Sequence, residues 1–151
     1  MKANGLKMVS IRLVDDPPIY SEDKIQNPND AVQLLLKEFD SVDRELFFVL
    51  NLQTNGQVIN VNIASMGTLN NCILSPREIF KASILSNAAS VVLMHNHPSG
   101  DCTPSKQDVL VTERLVACGE LIGITVLDHI ILGRGTSVSY THLTLPTNSR
   151  V

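Results

Sequence analysis

The sequence predicts an α/β fold, a single domain built on a mixed β-sheet flanked by helices. Three observations carry that expectation. Segments of strand period and helix period succeed one another in the order β, α, β, β, α, β, α, β, with one further strand expected after them. The 151 residues, 44% apolar and 18% charged, suffice for one core and leave no room for a second of similar size. The apolar run Ala89 to Met94 is too short for a buried helix and lies between two helical segments, so it reads as a central strand.

Val9, Ile11 and Leu13 alternate with polar residues and read as a short strand or arm ahead of Pro17 and Pro18. Asn27-Pro28 has the form of an N-cap and first helical position, and Ala31, Val32, Leu35, Leu36 and Phe39 recur at helical spacing, predicting a helix over roughly 28–39. Leu46 to Leu52 and the β-branched segment Val58 to Ile63, joined through Asn55-Gly56, predict a hairpin with Glu45 at the entrance of its first strand. Ser75-Pro76-Arg77-Glu78 has the form of a capping box, opening a helix to about Asn87 with Ile79, Ala82, Ser83 and Ser86 on one face. The central strand then ends at His95-Asn96-His97. Pro98 to Thr103 is loop by composition, and a third helix is expected over roughly 104–118 with Gly119 closing it. Leu121 to Leu127 and His129 to Leu132 are the remaining β-prone segments. The expected organisation is an N-terminal strand or arm over 1–27, the domain proper over 28–136 and a C-terminal tail over 137–151.

Composition excludes several function classes. Twelve Lys and Arg against 15 Asp and Glu give a net charge of -3, which supplies no general field for phosphates, so DNA binding is not expected. Four Phe, two Tyr and no Trp also argue against a base-stacking platform. No run approaches the roughly 18 apolar residues of a membrane span, and Met1 to Asp15 lacks the apolar block of a signal peptide. A soluble, cytoplasmic protein without a membrane partner is expected. Cys72, Cys102 and Cys118 are odd in number and widely spaced, which suggests reduced thiols rather than a disulfide framework or thiolate metal knuckle.

The chemistry lies around the histidine pair. In a strand, residues i and i+2 point to the same face about 6.5 to 7 Å apart, so His95 and His97 can converge on one cation while Asn96 points away. After the loop, Ser105 and Asp108 share one face of the third helix, and that face continues through Val111 and Leu115 towards the core. Asp108 is thus an inward carboxylate near the histidine strand, and two His with one Asp and an open position make a catalytic rather than structural zinc pattern. Asp128 and His129, adjacent on a strand, point to opposite faces and cannot jointly hold one ion; both are read as hydrogen-bonded structural residues outside the site. Cys102 has no neighbour at a spacing that makes it a nucleophile with a base and is read as a bystander.

His95-Asn96-His97-Pro98-Ser99-Gly100-Asp101, followed by Pro104-Ser105 and Asp108, resembles the JAMM motif of JAB/MPN metallopeptidases in the form carried by the bacterial RadC family. Asp43-Arg44-Glu45, Gly67-Thr68, Ser75-Pro76-Arg77-Glu78 and Asp128-His129-Ile130-Ile131 resemble RadC-type segments in order and spacing, so the likeness covers roughly residues 28–135. It implies a JAB/MPN-like domain of cytidine-deaminase-like architecture and one Zn2+ per chain on His95, His97 and Asp108. It also implies that Glu45 is the general base for the water that attacks an amide carbonyl, and that Ser105 donates to the oxyanion. The expected activity is that of a zinc metallopeptidase acting on a peptide or isopeptide bond of a peptide or protein substrate. Specificity is expected in loops such as Ile63 to Ser75 rather than in the ligands.

An alternative reading is a non-catalytic, metal-stabilised accessory protein in DNA repair or recombination, as the RadC name suggests. Full-length members of that family carry an N-terminal helix-hairpin-helix region, and the segment of about 27 residues before the first helix is not expected to form one. The letters His-Asn-His do not make an HNH nuclease, whose three residues are scattered over a larger hairpin-helix unit. A zinc nucleobase deaminase needs His-x-Glu and a Pro-Cys-x-x-Cys, which this chain lacks. The likeness ends before Ser137 to Val151, which is expected to be a tail foreign to the family's own ending, with no catalytic role for His142.

Overall fold

A computed structural model describes residues 4–39, 42–67, 75–133 and 136–139. The elements are α1 (Pro28–Glu38), β1 (Glu45–Leu52), β2 (Val58–Gly67), α2 (Pro76–Leu85), β3 (Ser90–Asn96), α3 (Lys106–Ile122), β4 (Thr125–Gly133) and β5 (Thr136–Ser139). The strands form one sheet in the order β2-β1-β3-β4-β5. β1 pairs antiparallel with β2 and β3, β3 and β4 run parallel with α3 as the crossover, and β5 returns antiparallel on β4. The mixed sheet flanked by helices is the class that periodicity predicts.

The central position of β1 explains why its sequence does not alternate. Both faces of the strand are covered, so Leu46, Phe48, Leu50 and Leu52 join Val92, Met94, Ile130 and Leu132 against the Ala31, Val32, Leu35 and Leu36 face of α1. Phe47 and Val49 point the other way, where Val91, Leu93 and Val126 meet Ile79 and Phe80 of α2 and Val111 and Leu115 of α3. Asn27 caps α1 by accepting the Asp30 N–H at 3.0 Å. The β1–β2 turn closes with Gly56 N–H on Gln53 C=O at 2.9 Å, and Gly56 takes the positive φ of 86° that the Asn-Gly pair anticipates.

Several sequence expectations are corrected. Of the strand and the arm that the N-terminal alternation left open, described residues 4–20 form no strand: Val9 and Ile11 are exposed and no described strand pairs with them. β2 runs on to Gly67, consuming the start of the expected Ile63 to Ser75 loop, of which 68–74 lie outside the described residues. Ser75 occupies the N-cap of α2 without a side-chain cap bond, and the exposed Glu78 carboxylate lies 3.3 Å from Lys81 Nζ one turn on, so the expected capping box does not form. α3 does not stop at Gly119 but runs through Leu121 to Ile122 and ends on Gly123 in the left-handed region, φ 82°. The two β-prone segments beyond are one strand, β4. β5 straddles the expected domain boundary at 136/137; His142, the rest of the tail from residue 140, and Cys72 lie outside the described residues.

Candidate metal centre

The end of β3 and the first turn of α3 meet on the α2/α3 face of the sheet. His95, fully buried, and His97, at the strand's exit, present their Nε2 atoms 2.8 Å apart. Asp108 answers from the N-terminus of α3, its Oδ1 3.1 Å from His95 Nε2 and its Oδ2 3.2 Å from His97 Nε2. One ligand atom from each of the three lies within 4.8 Å of the others. The strand period of two and the three-residue step into the helix are what bring them together.

Local structure holds each group. Phe47, the residue paired with His95 across β1 and β3, lies parallel to its ring at 6.0 Å, with 6° between the planes. The His97 Nδ1 sits 2.7 Å from the Asp101 carbonyl oxygen in the turn that Gly100 permits at φ 87°. A carbonyl can only accept, so Nδ1 carries a proton there, and Nε2 is the ring atom that faces Asp108 and His95. Asp108 is held by the capping box of α3: its Oδ2 accepts the Ser105 N–H at 2.7 Å, and Ser105 Oγ accepts the Asp108 N–H at 3.0 Å.

The electrostatics follow from this crowding. Burial alone would push the Asp108 carboxyl up, but hydrogen bonds from His95 and His97, the charge of His95 and the Ser105 N–H hold it well below the usual carboxylate range. The hydrogen bond to Asp108 raises His97 against the effect of burial, helped by the Asp101 carbonyl and the charges of Asp108 and Glu45. The rise at His97 is the proton-borne form of the attraction such a cluster has for any cation. Two imidazole nitrogens and a carboxylate at this spacing suit a borderline-soft divalent ion, and the donor set therefore fits zinc.

Glu45 opens β1 and is half-buried. Antiparallel pairing of Phe47 with His95 places Glu45, two residues earlier on the same face, at the level of His97, where its charge is felt. Ser105 is exposed beside Asp108. All five sequence-derived candidates are thus brought to one end of the sheet. Cys102 is half-buried in the loop with Sγ 4.0 Å from the Gly100 carbonyl oxygen.

Three further residues that sequence reasoning left outside the site lie against it. His129, set aside by weighing it only with Asp128, is fully buried with Nε2 2.7 Å from His95 Nδ1. Burial drives its pKa well below the ordinary histidine value, and the nearby His95 adds to that. Thr112 bonds to the other side of the His129 ring; its position four residues after Asp108 was the signal that it shares the inward face. Asn96 turns to the opposite face, where its Oδ1 accepts the Leu46 N–H at 2.5 Å and its Nδ2 donates to the Arg44 carbonyl at 2.9 Å, on either side of Glu45.

Among the described residues no helix is long and apolar enough to cross a membrane. The profile of the RadC-like JAB domain matches residues 25–145. The chain is 49% identical over 115 residues to a UPF0758 protein of Moorella thermoacetica, covering 76% of this chain and 50% of that one. It is 50% identical over 109 residues to a UPF0758 protein of Desulforamulus reducens (72% and 48%) and 45% identical over 116 residues to one of Methanosarcina mazei (77% and 51%). The chain spans about half the length of the curated relatives it matches.

Proposed function

The chain belongs to the RadC-like JAB domain family, and from that premise we propose that it is a zinc-dependent metallohydrolase cleaving a peptide or isopeptide bond. His95, His97 and Asp108 are the metal ligands, Glu45 the general base and Ser105 the oxyanion donor. The observation that carries the reading is the convergence of His95, His97 and Asp108 ligand atoms within 4.8 Å. Zinc bound there would supply Lewis acidity and a water whose pKa falls towards about 7.

The chain's own residues do the rest. Glu45, at the level of His97, accepts the proton of the attacking water and delivers it to the amine nitrogen as the C–N bond breaks. The Ser105 oxygen uses a lone pair to cap α3, which leaves its hydroxyl proton to donate to the carbonyl oxygen of the substrate as charge develops. Asp108 stays ionised, and the turn carbonyl of Asp101 keeps the proton of His97 on Nδ1, away from the site.

The test pairs metal content with turnover of an isopeptide-linked peptide. Wild-type protein is expected to hold one zinc per chain and to lose hydrolysis with a chelator and regain it with zinc. Glu45→Gln is expected to keep the metal and lose turnover, because a base is needed for proton transfer and not for coordination. Loss of zinc from Glu45→Gln would make Glu45 a ligand, and turnover indifferent to chelation would overturn the reading.

A further inference from the structure

Behind the metal-facing side of His95 runs a line of hydrogen bonds whose polarity is set from its Thr112 end. Thr112 Oγ1 lies 2.6 Å from the Asp108 backbone carbonyl oxygen. It also bonds to His129 Nδ1, and His129 Nε2 lies 2.7 Å from His95 Nδ1. A carbonyl oxygen has no proton, so the Thr112 hydroxyl donates to Asp108 C=O. That hydroxyl has a single proton, and towards His129 it can therefore only accept. His129 Nδ1 carries the ring's hydrogen. A fully buried imidazole favours the neutral form, so His129 Nε2 presents a lone pair and accepts from His95 Nδ1–H. Nε2 of His95 is then the atom that faces the other ligands, 3.1 Å from Asp108 Oδ1 and 2.8 Å from His97 Nε2.

We propose that Thr112 and His129 are positioning residues that fix His95 as the Nδ1–H tautomer, leaving Nε2 as its metal-binding atom. The inference rests on the metal site proposed above. It joins elements far apart in sequence: Asp108 and Thr112 stand one turn apart on α3, and the parallel register of Leu93 with His129 puts His129 on the strand beside His95, on the same face. Phe47 packs both rings, lying parallel to His95 and edge-on to His129 at 5.7 Å, so ring position does not depend on the hydroxyl. His97 reaches the same protonation pattern by a shorter route, through Asp101 C=O. Both histidines thus point their Nε2 atoms at one place, His97 through a turn and His95 through the buried line behind it. Outer partners that fix a ligating histidine in this way typically change metal affinity about 10- to 100-fold.

Thr112→Val keeps shape and the α3 backbone and removes only the hydroxyl. His129 can then carry its proton on Nε2, against His95 Nδ1, which forces the His95 proton to the wrong nitrogen. Thr112→Ser keeps the hydroxyl. Two readouts separate the outcomes: imidazole 15N shifts of the metal-free protein, which report the His95 tautomer, and zinc affinity by competition with a chromophoric chelator. Wild type and Thr112→Ser are expected to show His95 with Nδ1 protonated and similar affinities. Thr112→Val is expected to show loss of the proton from His95 Nδ1 in part or all of the molecules and a zinc affinity weaker by about 10- to 100-fold, with a thermal midpoint lower by a few degrees from the lost buried hydrogen bonds. His129→Gln, whose amide oxygen can accept at the position of Nε2, is expected to recover affinity relative to His129→Phe. Unchanged tautomer and affinity in Thr112→Val would overturn the proposal. A wild-type chain that binds no zinc while His95 remains the Nδ1–H form would overturn the metal reading and support the relay.

Discussion

Ser105 and Asp108 exchange two hydrogen bonds at the first turn of α3, each side chain accepting the other's backbone N–H, at 3.0 and 2.7 Å. The same bonds that start the helix aim the Asp108 carboxylate at His95 and His97. Helix capping and ligand orientation are therefore one interaction here, and a substitution in the pair acts on both.

Ser105→Ala is accordingly expected to cost about 1 kcal/mol of stability through the lost cap and, as one oxyanion donor, on the order of 10² to 10³-fold in turnover. Ser105→Asp, which can cap but offers no hydroxyl proton, should recover stability and not turnover. Thermal melts beside steady-state kinetics check both; full turnover in Ser105→Asp would remove the donor role.

Asn96 is expected to behave in the opposite way to its neighbours. Its amide holds the Arg44 carbonyl and the Leu46 N–H on either side of Glu45 and faces away from the ligands. Asn96→Ala leaves those groups without that partner and should cost about 1–3 kcal/mol, lowering turnover while zinc content stays at one per chain. Loss of zinc on this substitution would show that the residue supports the ligands and not the β1 entrance.

The parts of this molecule that could be read in advance are those set by local period. His95 and His97 fall on one face because strands repeat every two residues, and α1 is announced by Asn27-Pro28 and the spacing of its apolar face. The missing parts depend on which elements become neighbours. His129 reaches the site only because α3 carries the chain into a parallel partner of β3, in a register that no local pattern encodes. The N-terminal alternation at Val9, Ile11 and Leu13 meets the local rule for a strand yet finds no partner. At the end of α3 two glycines compete for one signal, and packing decides between them.

That competition gives a further prediction. A Cβ on Gly119 would lie 2.3 Å from the Ile124 carbonyl oxygen and 3.4 Å from Phe80 Cζ, so glycine is required by close approach inside the helix. Gly123 meets nothing but holds φ at 82°. Gly119→Ala is expected to cost about 3 kcal/mol, since backbone must move to admit the methyl group, and Gly123→Ala about 1 kcal/mol from the left-handed conformation alone. Denaturant midpoints in the reverse order would place the helix stop at Gly119 after all.

Metal binding should also be visible as stability without any substrate. A ligand that binds only the folded chain stabilises it by about 2.7 kcal/mol at a hundredfold excess over Kd, which for a domain of this size raises the thermal midpoint by about 5 to 10 °C. His97 is the clean residue to remove: its side chain is 15% exposed at the strand exit, whereas His95 is packed between Phe47 and His129 and its loss would open a cavity. His97→Ala is thus expected to keep the metal-free midpoint within a few degrees and to lose the rise with zinc. Asp108→Asn keeps an oxygen for the Ser105 N–H but removes the negative charge, so it should retain the cap and also lose most of the rise. Differential scanning fluorimetry of the three proteins with and without zinc checks this, and an equal rise in all three would mean that the ion binds elsewhere.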